Sequence, residues 1–173
     1  MLTPIELRHK IHQNPEIMFE EFKTTQLIEE NLKNLSKIKI HKPLPTGLVV
    51  EYTVNSGDYL LFRADKDALP IKENTGWEWT SKNSYMHACG HDVHTAILYS
   101  FIQYVVENNI NQNLIFLFQP GEEAGGGALK VIESGILNNY KIKYTFALHV
   151  TDEYDFATVA STDGVLFVSS VEC

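Results

Sequence analysis

Asn113-Leu-Ile-Phe-Leu-Phe-Gln-Pro-Gly-Glu-Glu123 decides the fold. Leu114 to Phe118 are apolar in unbroken succession, with none of the alternation of a half-solvated strand. A strand apolar on both sides needs a covering layer over each face, the condition of strands inside α/β sheets. The run then turns polar at Gln119, breaks at Pro120-Gly121 and delivers two carboxylates, Glu122 and Glu123. In open α/β sheets, sites gather outside the carboxyl ends of the strands, so this acidic doublet falls where chemistry is expected.

Outward from that run, Gly47–Val54, Tyr59–Arg63 and Tyr144–Leu148 read as further strands of the same kind. Helical stretches are expected near 92–107 and 125–135. Two more are expected near 4–13 and 17–34, divided at Asn14-Pro15 because the residue before proline resists the helical region. Strands alternating with helices predict an α/β fold, a mainly parallel (mixed) sheet with helices on both faces. Past Val150 the texture changes: Thr158–Thr162 and Val165–Ser170 are two extended runs about an Asp163-Gly164 turn, and the second reaches Cys173 without a cap or polar tail.

Composition narrows the partners. With 14 Lys and Arg against 22 Asp and Glu, the net charge is −8 and no basic cluster offsets it, which argues against nucleic acid and anionic membrane as partners. The two cysteines, Cys89 and Cys173, exclude a disulfide framework. The first residues lack the apolar core of a signal peptide, and Ala96–Val106, interrupted by Ser100 and Gln103, is too short to span a bilayer. A cytoplasmic protein is expected.

The polar residues concentrate at one sheet edge. Asp65 and Asp67 follow the run ending at Arg63, Glu122 and Glu123 follow Phe118, and His149 follows Leu148. The segment Met86-His-Ala-Cys-Gly-His-Asp-Val-His94 leads into a helix at the same edge. Thiolate, imidazole and carboxylate together suit a borderline divalent ion, Zn²⁺ or else Mn²⁺, Co²⁺ or Ni²⁺. Each residue alone has a plainer explanation: an isolated cysteine is most often a small buried hydrophobe, and an acidic pair such as Glu29-Glu30 is a solvated face. His9 and His41 lack such company and read as structural. Convergence at one edge favours a functional over a structural reading for Cys89, His91, Glu123 and His149, while His87 and His94 stay open between the two. A redox role for Cys89 is disfavoured, because no second cysteine lies near it in sequence.

These segments together resemble the metal-dependent amidohydrolases and metallopeptidases that include hippurate hydrolase, N-acyl-amino-acid amidohydrolases and the indole-acetyl-amino-acid hydrolases. The resemblance rests on Arg8-x-x-x-His12-x-x-Pro15-Glu16 with Phe19 and Glu21, Thr46-Gly47, Arg63-Ala-Asp65-Lys-Asp67-Ala-Leu-Pro70 and His87-Ala-Cys-Gly-His-Asp-Val-His94-Thr95. It continues through Phe118-Gln-Pro-Gly-Glu-Glu123, Gly126-Gly-Ala128 and Ala147-Leu-His149.

The resemblance implies a zinc-exopeptidase-like catalytic domain and a site of two divalent metal ions held by Cys89, His91, Glu123 and His149, with Cys89 bridging. Glu122 is then the general base and Asp67 orients a ligand histidine, with Asp65 a neighbour. Such ions activate water and polarise an amide carbonyl. The implied substrates are N-acyl amino acids or small peptides, with amino- or carboxypeptidase activity as the alternative, and the full-length protein is implied to be a homodimer. Family members are more than twice this length, so residues 1–163 correspond to the N-terminal part of the catalytic domain and 164–173 to the start of an inserted dimerisation domain. This chain alone is then incomplete at its C-terminus and expected to be inactive. Lys66 stands where the family has an apolar residue, Gly121 where it often has alanine, and Thr151–Thr158 lacks the family's Pro/Gly pattern.

Overall fold

A computed structural model describes residues 1–164. Ten elements follow one another: α1 (Pro4–Gln13), α2 (Phe22–Leu32), β1 (Ile38–Leu44), β2 (Gly47–Tyr52), β3 (Tyr59–Asp65), α3 (His91–Glu107), β4 (Asn113–Gln119), α4 (Gly127–Glu133), a 3₁₀ turn (Ile136–Asn139) and β5 (Ile142–Ala147). The strands form one five-stranded sheet in the order β1-β2-β4-β3-β5. β3 runs parallel to both β4 and β5, whereas β2 is antiparallel to β4 and to β1, so the sheet is mixed.

β4 is buried along its whole length, as its unbroken apolar run requires. Its residues alternate between two cores: Leu114, Phe116 and Phe118 meet Leu7 and Ile11 of α1, Ile28 and Leu32 of α2, and Leu98, Tyr99, Ile102 and Val105 of α3. Ile115 and Leu117 face the other way, toward Val131 of α4 and the 3₁₀ turn. Truncating a fully buried aromatic such as Phe116 to alanine therefore costs about 3–5 kcal/mol.

Three differences from the sequence reading have physical causes. The second helix begins at Phe22 rather than near residue 17. Phe19 adopts φ +57°, and the Glu16 carboxylate accepts the Lys23 and Thr24 N–H groups at 3.1 and 2.8 Å, capping the helix from outside. β1 has no counterpart among the expected strands, because an edge strand reading Ile-Lys-Ile-His-Lys-Pro-Leu buries only part of itself. β5 reads from its residues as covered on both faces; instead Tyr144 and Phe146 are 57% and 44% exposed, and among the described residues no strand pairs with its outer edge. The second extended run expected after Gly164, and with it all but the first residue of the second domain placed at 164–173, lies outside the described residues, while 158–164 forms no strand. No described helix is long and apolar enough to cross a membrane.

Candidate metal centre

The carboxyl ends of β3, β4 and β5 and the start of α3 meet at one edge. Gly90, which precedes α3, holds φ +84°, and a Cβ there would lie 2.5 Å from Val150 Cγ2. Only glycine tolerates that turn and that approach, and the turn aims Cys89 and His91 at a common region.

Cys89 Sγ lies 3.3 Å from His149 Nε2. His91 is buried, and its Nδ1 is 2.9 Å from the Asp67 carbonyl oxygen and 3.4 Å from the Asp67 carboxylate. That contact assigns the Nδ1 proton and turns Nε2 outward, 3.6 Å from Asp65 Oδ2 and 3.7 Å from both Glu122 Oε2 and Glu123 Oε1. Asp67 Oδ2 accepts the Glu123 N–H at 3.0 Å, tying the acidic doublet to the end of β3. Five of the sequence-predicted residues fall into two triads, Cys89/His91/His149 and His91/Glu122/Glu123, each with its ligand atoms within 4.8 Å of one another. Asp67, the sixth, stands directly behind His91.

His94, left open by the sequence, uses both ring nitrogens: Nδ1 meets Asp65 Oδ1 at 2.6 Å and Nε2 accepts the Val150 N–H at 3.0 Å. It fastens the segment after β5 to the end of β3, and with Asp65 and His91 it forms a third triad. His87 is buried with neither ring nitrogen hydrogen-bonded. Asp65 is more central than the sequence suggested, since it also takes Arg63 Nη1 at 2.7 Å while Arg63 Nε donates to Gln119 at 2.8 Å. Lys66 is wholly buried, a placement no local signal announces, because a lysine between two aspartates reads as solvated.

A divalent cation fits this donor set. His91 Nε2, Glu123 Oε1 and Asp67 Oδ1 are buried without a hydrogen-bond partner, an arrangement that costs about 1–3 kcal/mol per group unless something else satisfies it. Separations of 3.6–3.7 Å are too long for hydrogen bonds and suit donor atoms that share one metal ion about 2.0–2.2 Å from each. The electrostatics agree. Burial and the neighbouring Glu123, Asp65 and Glu122 push the Cys89 thiol up to about 12. Burial likewise raises Glu123, with Glu122 and Asp67 adding to the rise against the pull of His91. Burial opposes the charged His91, yet the hydrogen bond to Asp67 and the surrounding carboxylates together raise its pKa. Asp65 and Asp67, despite burial, are held low by His94 and His91 respectively. Acids crowded around a thiol whose ionisation they oppose lack positive charge, and a divalent ion would invert that balance.

The chain belongs to peptidase family M20/M25/M40, whose model matches residues 61–162. It is 40% identical over 171 residues to an N-acetyldiaminopimelate deacetylase of Bacillus cytotoxicus, across 97% of this chain and 46% of that protein. Among solved structures it is similar to the YXEP protein of Bacillus subtilis, described as a dinuclear metal-binding peptidase from the M20 family (36% identity, TM-score 0.80, covering 87% of this chain and 43% of that one). It is also similar to a putative aminohydrolase of methicillin-resistant Staphylococcus aureus (35% identity, TM-score 0.81, covering 87% and 41%). The chain thus spans less than half the length of these relatives.

Proposed function

We propose that this chain forms the metal-holding part of an amidohydrolase that cleaves the amide bond of an N-acyl amino acid, hippurate-like or acetylated, or of a small peptide. The observation that carries the reading is His91, the residue common to all three triads, whose Nε2 is buried without a hydrogen bond. Cys89, His91, Glu123 and His149 would hold two divalent ions, drawn from Zn²⁺, Mn²⁺, Co²⁺ or Ni²⁺ by the mixture of soft and hard donors. Bound there, the ions lower the pKa of water and polarise the substrate carbonyl.

Glu122 is the proton carrier. Its side chain is 40% exposed, unlike the buried Asp65 and Asp67, and its Oε2 still reaches within 3.7 Å of His91 Nε2. It can therefore take a proton from the attacking water and return it to the departing amine. Asp67 positions rather than reacts, holding His91 from behind and the Glu123 N–H from below. The deacetylase relative supports an acylated amino acid as the substrate class. The homodimer and a second domain beginning near residue 164 belong to the same proposal and are read by sedimentation of the full-length protein.

The test is hydrolysis of N-acetyl amino acids and N-benzoylglycine by the full-length protein with added Mn²⁺, Co²⁺ or Zn²⁺. Metal-dependent turnover is expected, and Glu122→Gln is expected to lower kcat by roughly 10²–10⁴ while metal content stays constant. Full activity in that variant, or no metal-dependent turnover across the panel, refutes the assignment.

A further inference from the structure

The loop that carries Glu122 and Glu123 is gripped from a second direction. Gly121 opens it at φ +59°, and the Gly121 N–H donates to Glu21 Oε1 at 2.8 Å. Glu21, just before α2, is fully buried, and its other oxygen, Oε2, has no hydrogen bond. It lies 3.7 Å from Lys66 Nζ, which is itself fully buried and donates to Thr25 Oγ1 at 2.9 Å. Thr25 in turn donates to the Thr46 carbonyl at 2.7 Å. The same short segment also presses on the loop sterically: a Cβ at Gly121 or Gly125 would lie 2.7 or 2.3 Å from the Phe19 ring. Lys130 of α4 caps that ring at 3.8 Å from its centroid.

Lys66 stands between Asp65 and Asp67, so adjacent residues at the end of β3 reach opposite ends of one loop. Asp67 takes the Glu123 N–H directly, and Lys66 reaches the Gly121 N–H through Glu21. A buried carboxylate that stays ionised while holding a loop amide needs its charge balanced, and Lys66 is the cation in contact with it.

We infer that Lys66 is a positioning residue: its ammonium neutralises buried Glu21, and Glu21 thereby fixes Gly121 and the acidic doublet beyond it. The consequence for metal affinity rests on the function proposed above; the clamp itself does not.

The experiment compares the 173-residue chain with Lys66→Met and with Lys66→Met/Glu21→Gln. Amide hydrogen exchange at Gly121 and Glu123 is followed by NMR, and Co²⁺ affinity by titration. Removing the cation alone strands a buried charge, so Gly121 and Glu123 are expected to exchange at least about tenfold faster while Phe116 in β4 is unaffected. The double variant carries no charge at either position, and the carboxamide oxygen that replaces the Glu21 carboxylate can still accept the Gly121 N–H, so protection is expected to return. Co²⁺ affinity is expected to fall about tenfold in Lys66→Met and to recover in the double variant. A Lys66→Met chain that unfolds while the double variant folds with wild-type exchange supports the clamp equally. Unchanged exchange in Lys66→Met, or a double variant that is no better protected or does not fold, overturns it. If the exchange pattern holds but the wild-type chain takes no Co²⁺, the clamp stands and the metal reading falls.

Discussion

His91 and Asp92 are neighbours in the first turn of α3, yet they enter two polar clusters of similar composition and opposite character. Asp92 Oδ2 receives Arg8 Nε at 3.1 Å and His12 Nδ1 at 2.9 Å, and His12 Nε2 reaches Glu73 Oε1 at 3.3 Å. Glu73 Oε2 accepts the Ser81 N–H at 2.6 Å. The hydrogen bond to Asp92 holds His12 above its ordinary pKa, both its ring nitrogens face carboxylates, and with Arg8 the cluster closes on itself. Around His91 stand Asp65, Asp67, Glu122, Glu123 and Cys89, with Arg63 the only fixed cation in contact among the described residues, and buried atoms on His91, Glu123 and Asp67 are left without partners. Residue type does not separate a structural cluster from a candidate ligand set. Charge balance does, together with several unsatisfied atoms on adjoining donors.

The contrast breaks most visibly at Asp92. Asp92→Ala leaves His12 facing Glu73 alone and Arg8 without its carboxylate, and is expected to cost about 3–5 kcal/mol in urea unfolding. A cost below about 1 kcal/mol would show that this cluster, too, is not structurally closed.

Next in size is His87, buried between the two clusters and pushed by burial from 6.5 down to about 4. The unfolded chain binds the proton first as pH falls. The His87 contribution is therefore whole above pH 6.5 and is lost as pH drops toward 4, amounting to about 2 kcal/mol by pH 5. His87→Leu should lose that much less stability than wild type between pH 7 and pH 5, as measured by urea midpoints. His12 has the opposite sign: its raised pKa gives stability present below 6.5 and lost as pH rises through the folded value.

Cys89→Ser is expected to weaken Co²⁺ binding by about 100-fold and to remove the thiolate-to-cobalt absorption, with little change in metal-free stability. The smallest effect is the most discriminating. Glu123→Gln relieves crowding among carboxylates, so without metal it should be neutral or stabilising by less than about 1 kcal/mol, while Co²⁺ affinity falls. A clear loss of metal-free stability would place Glu123 with the structural cluster.

Much of this was legible in the residues. β4 announced itself because apolar side chains on both faces leave few alternatives, and the acidic doublet beyond it followed from sheet geometry. Cys89, His91 and His149 could be grouped because each ends or begins an element at the same edge. What escaped depends on contacts distant in sequence. The positive φ of Phe19 lies against a glycine-rich loop some hundred residues away, and the burial of Lys66 depends on Glu21, just before α2, and Thr25 within it reaching across. β1 escaped because its lysines and histidine hide the period of an edge strand. β5 misled in the other direction: Tyr144 and Phe146 are apolar enough for a core but are left uncovered here.

That last strand has a practical corollary. With a row of backbone donors and acceptors that no described strand engages, beside outward aromatic rings, β5 is a template for any extended polypeptide that meets it, relieved only by the charges of Lys141 and Lys143. For this polypeptide studied by itself, concentration becomes an experimental variable on a par with pH, and self-association through that border is the first artefact to exclude.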